Sequence, residues 1–178
     1  MSTLATFIAV STIITIAVVI VLWIVSTQQR LAVLDDNISK SMSQIEAQLE
    51  SRFDALKTLL NLTTDYAKHE SDVLMETIKS GSNAITTEST PSDVMRQEGM
   101  ITEALGRIAL VAEQYPELKA SQTYTQTMGT VRTFENMART SRLIYNDSVT
   151  KFNREVRRFP VSMIAGMLDF QQRAHLEE

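Results

Sequence analysis

Two apolar rhythms divide this chain. From Leu4 to Val25 the sequence reads LATFIAVSTIITIAVVIVLWIV, 22 positions without a charge. From Leu31 onward the apolar residues are spaced instead, at Leu31, Leu34, Ile38, Met42, Ile45, Leu49, Phe53, Leu56 and Leu60. At 1.5 Å per residue the continuous run reaches about 33 Å, enough to cross a hydrocarbon layer of roughly 30 Å. The spaced run steps by threes and fours with a mean near 3.6, close to an 11-residue repeat that holds one stripe on one helical face. The pattern predicts a membrane helix over Leu4 to Val25 and a long amphipathic helix from about Leu31 to Ala67 that continues it.

Further along, Val73, Leu74 and Ile78 predict a second soluble helix from about Ser71 to Ala84, which weakens at Gly81, Ser82 and Asn83. Thr86 to Thr90 reads as a loop. Thr90-Pro91-Ser92-Asp93 then has the form of a helix start, with Thr90 as cap, Pro91 at the first helical position and an acid three residues after the cap. The third helix runs to about Gln114 with a stripe of Val94, Ile101, Leu105, Ile108 and Val111, and Pro116 stops it. The fourth, from about Ser121 to Arg158, carries Tyr124, Met128, Val131, Ala138, Tyr145, Val149, Phe152 and Val156, and Phe159-Pro160 ends it. No stretch alternates with period two, so the fold expected is all-α: an N-terminal transmembrane helix followed by an antiparallel bundle of two long and two short helices.

The boundaries that follow are residues 1–3 as a short amino-terminal end, 4–25 as the span, 26–158 as the bundle and 159–178 as an apolar C-terminal segment and tail. Outside the span about 150 residues remain, the size of one domain with one core. Not one Gly or Pro precedes Gly81, so nothing local breaks a helix over that length. A cleaved signal fits the first segment less well than a retained anchor. It has no basic start, its apolar run is long, and Ser26-Thr27-Gln28 is not a small-x-small site. Trp23 and Arg30 stand where interfacial anchors belong, and Ala5, Ala9 and Thr12 form a small-residue stripe that is either lipid-facing or packed on a second copy. Arg30 and Lys40 on the carboxyl side of the span favour a cytoplasmic domain.

Composition then narrows the functions. The net charge of −4 opposes general nucleic-acid affinity, and the absence of cysteine removes disulfides and thiolate chemistry. Charge is uneven along the chain: residues 31–116 hold seven basic against fourteen acidic side chains, whereas residues 121–160 hold seven against three. In an up-down-up-down bundle the fourth helix returns to the membrane. Arg154, Arg157 and Arg158 then come back near Arg30, a basic cluster placed either for anionic lipid or for charge balance within the bundle. Beyond Pro160, the residues Val161, Met163, Ile164, Met167, Leu168 and Phe170 are more apolar than a solvated tail. They bury against the bundle end, the bilayer interface or another subunit, and so form a candidate assembly segment.

The chemistry of enzymes is missing from the pattern. His69-Glu70 has Val73 where a zinc-protease helix needs its second histidine, and His175 falls in a tail expected to fray. There is no phosphate loop, no dinucleotide turn and no serine elbow, and Glu46, Glu50 and Asp54 are spaced as a solvated face. No catalytic, cofactor-binding or metal-binding residue is nominated, and no cofactor is expected. Nine methionines could suggest a promiscuous groove, but Met42, Met128 and Met137 fall at or beside core positions, where gap-filling is the better reading.

Several segments taken together resemble the LemA family in order and spacing. They are Gln48-Leu49-Glu50-Ser51-Arg52-Phe53-Asp54, Tyr66-Ala67-Lys68-His69-Glu70, Val111 to Ala120 (VAEQYPELKA), Tyr145-Asn146-Asp147, Phe152-Asn153, Phe159-Pro160 and Ile164-Ala165-Gly166. The family often has a Pro soon after its R-Y/F-D motif, where this chain has Ala55 to Leu60, so a straighter first helix is expected. The resemblance implies a bacterial inner-membrane protein of one pass, its amino terminus outside and its helical domain in the cytoplasm, without established catalysis. Magnetosome-associated members are linked to membrane formation, which implies a scaffold or membrane-organising role; the anchor, the long first helix and the apolar tail add the expectation of self-association, with membrane lipids and further copies of the chain as partners. The alternative is an adaptor docking an unidentified protein partner such as a protease or signalling protein. It implies structural roles for Tyr66, His69, Tyr115 and Pro116 at the turns.

Overall fold

With no Gly or Pro to interrupt backbone hydrogen bonding, the first part of the chain forms one helix in the computed structural model, α1 (Ser2–Thr64), 63 residues long. The apolar run and the amphipathic segment are thus one element. The structure describes residues 2–66 and 89–176. The expected second helix, Ser71 to Ala84, lies outside the described residues, as do His69 and most of the Thr86 to Thr90 loop.

The chain resumes at a helix start with its capping chemistry in place. Thr90 caps α2 (Pro91–Gln114): its Oγ1 accepts from the Asp93 amide at 3.3 Å, and Asp93 Oδ2 accepts from the Thr90 amide at 3.0 Å. Tyr115, extended before a proline, ends α2. Pro116 does more than stop that helix: it opens a short one, α3 (Pro116–Ala120), because proline fits the first position of a helix as well as it breaks the interior of one. After Ser121, whose hydroxyl accepts from the Tyr124 amide at 3.1 Å, α4 (Gln122–Arg157) runs for 36 residues. A last short helix, α5 (Val161–Met167), follows Pro160. Among the described residues everything regular is helix and there is no strand.

The described residues pack into two units. One comprises residues 2–37 and 148–173, the other residues 38–66, 89–147 and 174–176. In the first, Leu31 of α1, Val149, Phe152 and Val156 of α4, and Ile164 and Ala165 of α5 are buried. In the second, the α1 stripe Ile38, Met42, Ile45, Leu49, Leu56 and Leu60 is buried, as are Val94, Ile101, Ile108 and Val111 of α2 and Val131, Ala138 and Tyr145 of α4. Each such aliphatic or aromatic side chain contributes about 1.5–3 kcal/mol on leaving water. Within this unit Arg52 meets Glu98, and Tyr66 meets Tyr115 with ring centroids 6.0 Å apart, so α1 and α2 run in the same direction.

Two expectations change at this level. The stripe position between Leu49 and Leu56 is occupied by Arg52, which is 3% exposed, while Phe53 is half-buried and lies beneath the Lys57 ammonium at 4.8 Å. The tail around His175 does not fray either. Leu176 is 2% exposed and its amide and carbonyl are both held by the Asn146 side chain, at 2.8 and 2.9 Å.

Candidate functional site

In the first unit the residues of the apolar run stand unpacked. Leu4, Phe7, Ile13 and Leu22 are each more than half exposed, and none of the span's apolar window is buried within the protein. Among the described residues α1 is the one helix long and apolar enough to cross a membrane. Left in water, this surface is far larger than the apolar patches that soluble monomers carry.

The span's carboxyl end is tied to α4. Arg30 Nη2 donates to Glu155 Oε1 at 3.0 Å, in the last turn of α4, which also carries Arg154 and Arg157 and is followed by Arg158. The structure therefore brings Arg30 to the end of α4 that carries Arg154 and Arg157 and is followed by Arg158, but against an acid that offsets its charge. With the Arg30 side chain 64% exposed, the pair contributes at most about 1 kcal/mol. Arg154, Arg157 and Arg158 are exposed, and Arg157 Nε donates to the Asn153 carbonyl at 3.3 Å. A second exposed pair, Arg173 with Asp35 at 3.0 Å, adds another tie between the C-terminal segment and α1.

The segment after Pro160 divides into two faces. Ile164 and Ala165 are buried, and Val161 and Phe170 are half-buried, with the Phe170 ring edge-on to Phe152 at 6.2 Å. Helix α5 closes with the Phe170 amide donating back to the Ala165 carbonyl at 2.9 Å across Asp169, whose φ of 58° is the left-handed bend of such a terminus. Met163 and Met167, four residues apart on α5, are 65% and 85% exposed, with Leu168 partly exposed beside them, and Phe159 just before Pro160 is 77% exposed. Of the six residues nominated for assembly, Ile164 serves the protein's own interior, Val161 and Phe170 serve it in part, and Met163, Met167 and Leu168 are available to something else.

The second unit holds a polar site that the spacing of apolar residues did not reveal. Arg52, Glu98 and Arg142 form a chain, with Glu98 Oε1 3.7 Å from Arg52 Nη1 and Glu98 Oε2 3.0 Å from Arg142 Nη1. Glu98 stands on the buried stripe of α2 between Val94 and Ile101, as Arg52 stands on that of α1. Both are visible in the sequence as charges at apolar register, a signal lost when only apolar residue types are counted. The three side chains line a cavity of about 240 Å³ together with Thr102, Glu135, Asn136 and Arg139. Among the described residues no group of three or more His, Cys, Asp or Glu is arranged to hold a metal ion.

Two kinds of known protein resemble this chain. The family model for the LemA family matches residues 41–178, leaving the span outside the match. Two relatives in Paramagnetospirillum magneticum, magnetosome proteins MamQ 1 and MamQ 2, are each 23% identical over 171 residues, covering 82% of this chain and 62% of their own length. The chain thus matches somewhat less than two thirds of these relatives.

Proposed function

The chain belongs to the LemA family, and on that footing we propose that it is a non-enzymatic membrane scaffold that organises membrane by associating with copies of itself. It crosses a bacterial inner membrane once, through residues 4–25, with the preceding residues outside and residues 26–178 in the cytoplasm. Residues 26–158 form an antiparallel bundle of two long and two short helices. The observation that carries the reading is the exposed face of Phe159, Met163 and Met167, in the same unit as the exposed span and beyond the turn where Arg30 meets Glu155. Apolar surface left open in this way is stabilised by covering it, in bilayer for the span and against another copy for the face. Two relatives are named magnetosome proteins, a designation this reading accommodates.

Mass photometry or cryo-EM of the full-length chain in native-like lipid tests it. Multimers are expected, and the triple substitution Phe159→Ser, Met163→Ser and Met167→Ser should reduce their size. Monomers alone at all concentrations would remove the self-association. A single dominant heterologous partner in cellular crosslinking would replace it with the adaptor reading.

A further inference from the structure

Arg52 is a buried cation whose hydrogen-bonding capacity is almost unused. Its side chain is 4% exposed, yet its nearest acceptors are Glu98 at 3.7 Å and the Thr102 hydroxyl at 3.5 Å, and its Nε has no partner. A guanidinium has five donors and makes good bonds at 2.7–3.2 Å, so neither contact satisfies it. A group left in that condition away from water is costly, and where natural proteins keep one it commonly meets a water or an ion. Here it faces open space, the cavity of about 240 Å³ in the second unit.

The chemistry of the walls selects the occupant. Three guanidiniums, Arg52, Arg139 and Arg142, line the cavity against two carboxylates, Glu98 and Glu135, leaving one positive charge in excess. Glu98 is shared between Arg142 at 3.0 Å and Arg52 at 3.7 Å, so its single charge orients Arg142 and offsets only one of the two guanidiniums. Thr102 and Asn136 add a hydroxyl and an amide. We infer that this cavity is a binding site for a small phosphate-class anion, held by Arg52 from the interior and by Arg142 and Arg139 nearer the opening. Donors from five side chains suit an anion with four oxygens better than a carboxylate with two, and planar guanidiniums are matched to phosphate geometry. The volume is below the roughly 300–1,000 Å³ of sites for larger ligands, which favours phosphate or a small phosphomonoester over a nucleotide. The site is independent of the membrane scaffold proposed above, since its residues belong to the unit that contains neither the span nor α5.

The test is titration of the full-length chain in nanodiscs with inorganic phosphate, by calorimetry and by thermal unfolding at constant ionic strength. Saturable heat and a saturable rise in Tm are expected, because a ligand that binds only the folded state stabilises it. Arg52→Met should weaken the affinity about tenfold or more, the loss expected of a charge-assisted hydrogen bond. Arg139→Gln, at an exposed position, should weaken it without risk to the fold. Phosphate also stabilises proteins by exclusion from their surface, and that effect survives in both variants, so the difference from the unsubstituted chain is the readout. Glycerol 3-phosphate in place of phosphate distinguishes a monoester from the free ion. No heat with either, or equal Tm rises in the unsubstituted chain and both variants, would leave water in the cavity and overturn the inference. Equal binding of acetate would overturn the phosphate class.

Discussion

Asn153 and Arg173 hold each other in both directions: the Asn153 amide nitrogen donates to the Arg173 carbonyl at 2.8 Å, and the Arg173 amide donates to Asn153 Oδ1 at 2.9 Å. A side-chain amide here does what a neighbouring strand does in a sheet. Asn146 repeats the arrangement with Leu176, and the Tyr145 hydroxyl donates to the Ala174 carbonyl at 3.1 Å. The Tyr145-Asn146 and Phe152-Asn153 motifs are thereby explained as the fasteners of the C-terminal segment.

Substituting Asn153 should consequently release the Arg173 backbone amide and carbonyl that it holds. Asn153→Ala is expected to destabilise the full-length chain by about 1–3 kcal/mol, since the residue is 7% exposed and both of its hydrogen bonds to Arg173 are lost. Denaturant unfolding in detergent measures the loss, and hydrogen exchange should accelerate at the Arg173 amide.

The two faces of α5 predict opposite outcomes for neighbouring substitutions. Ile164→Ala should cost about 2 kcal/mol or more because Ile164 is 6% exposed, whereas Met163→Ser and Met167→Ser should stay within about 0.5 kcal/mol. If the methionine variants unfold as early as Ile164→Ala, the outward face belongs to the protein's interior and the assembly role fails.

Removing Glu98 should be worse than removing Arg52. Glu98→Ala leaves Arg52 buried with no carboxylate in reach and is expected to cost about 3 kcal/mol, whereas Arg52→Met exchanges a poorly satisfied charge for an apolar side chain of similar length and should be close to neutral. Urea unfolding of both variants in the same detergent compares them.

Acid should loosen the start of α2. The Thr90 side chain and backbone, donating to the Asp93 carboxylate, hold its pKa below the usual value. A depressed carboxylate contributes its stabilisation in full above the unfolded-state pKa and loses it as pH falls through the lower folded value. Amide exchange at the first turn of α2 should therefore rise below about pH 4, the unfolded range of aspartate, and Asp93→Asn should show no such acid step.

Periodicity carried much of this architecture because burial on a helix repeats with its turn. Along α4 the stripe from Tyr124 to Val156 is buried at every position named for it except Met128, which is half-buried. What spacing could not carry is anything decided by distant partners. Arg52 took the register of an apolar residue because Glu98 and Arg142 arrive from two other helices. The tail is ordered because Asn146 and Asn153 lie 30 and 20 residues before the backbone they hold. Helix α3 is hidden for a local reason, since Pro116 both stops α2 and starts the next helix.

The continuity of α1 past the apolar run also fixes a phase. With no Gly or Pro between Leu4 and Arg30, the side of the span that meets any neighbour is locked in azimuth to the side on which Arg30 meets Glu155. Adding one residue at Ser26 would turn the span through about 100° against that contact, while adding seven would return it to within about 20°. The helix works as an index mark, carrying the orientation fixed where Arg30 meets Glu155 into the exposed apolar run.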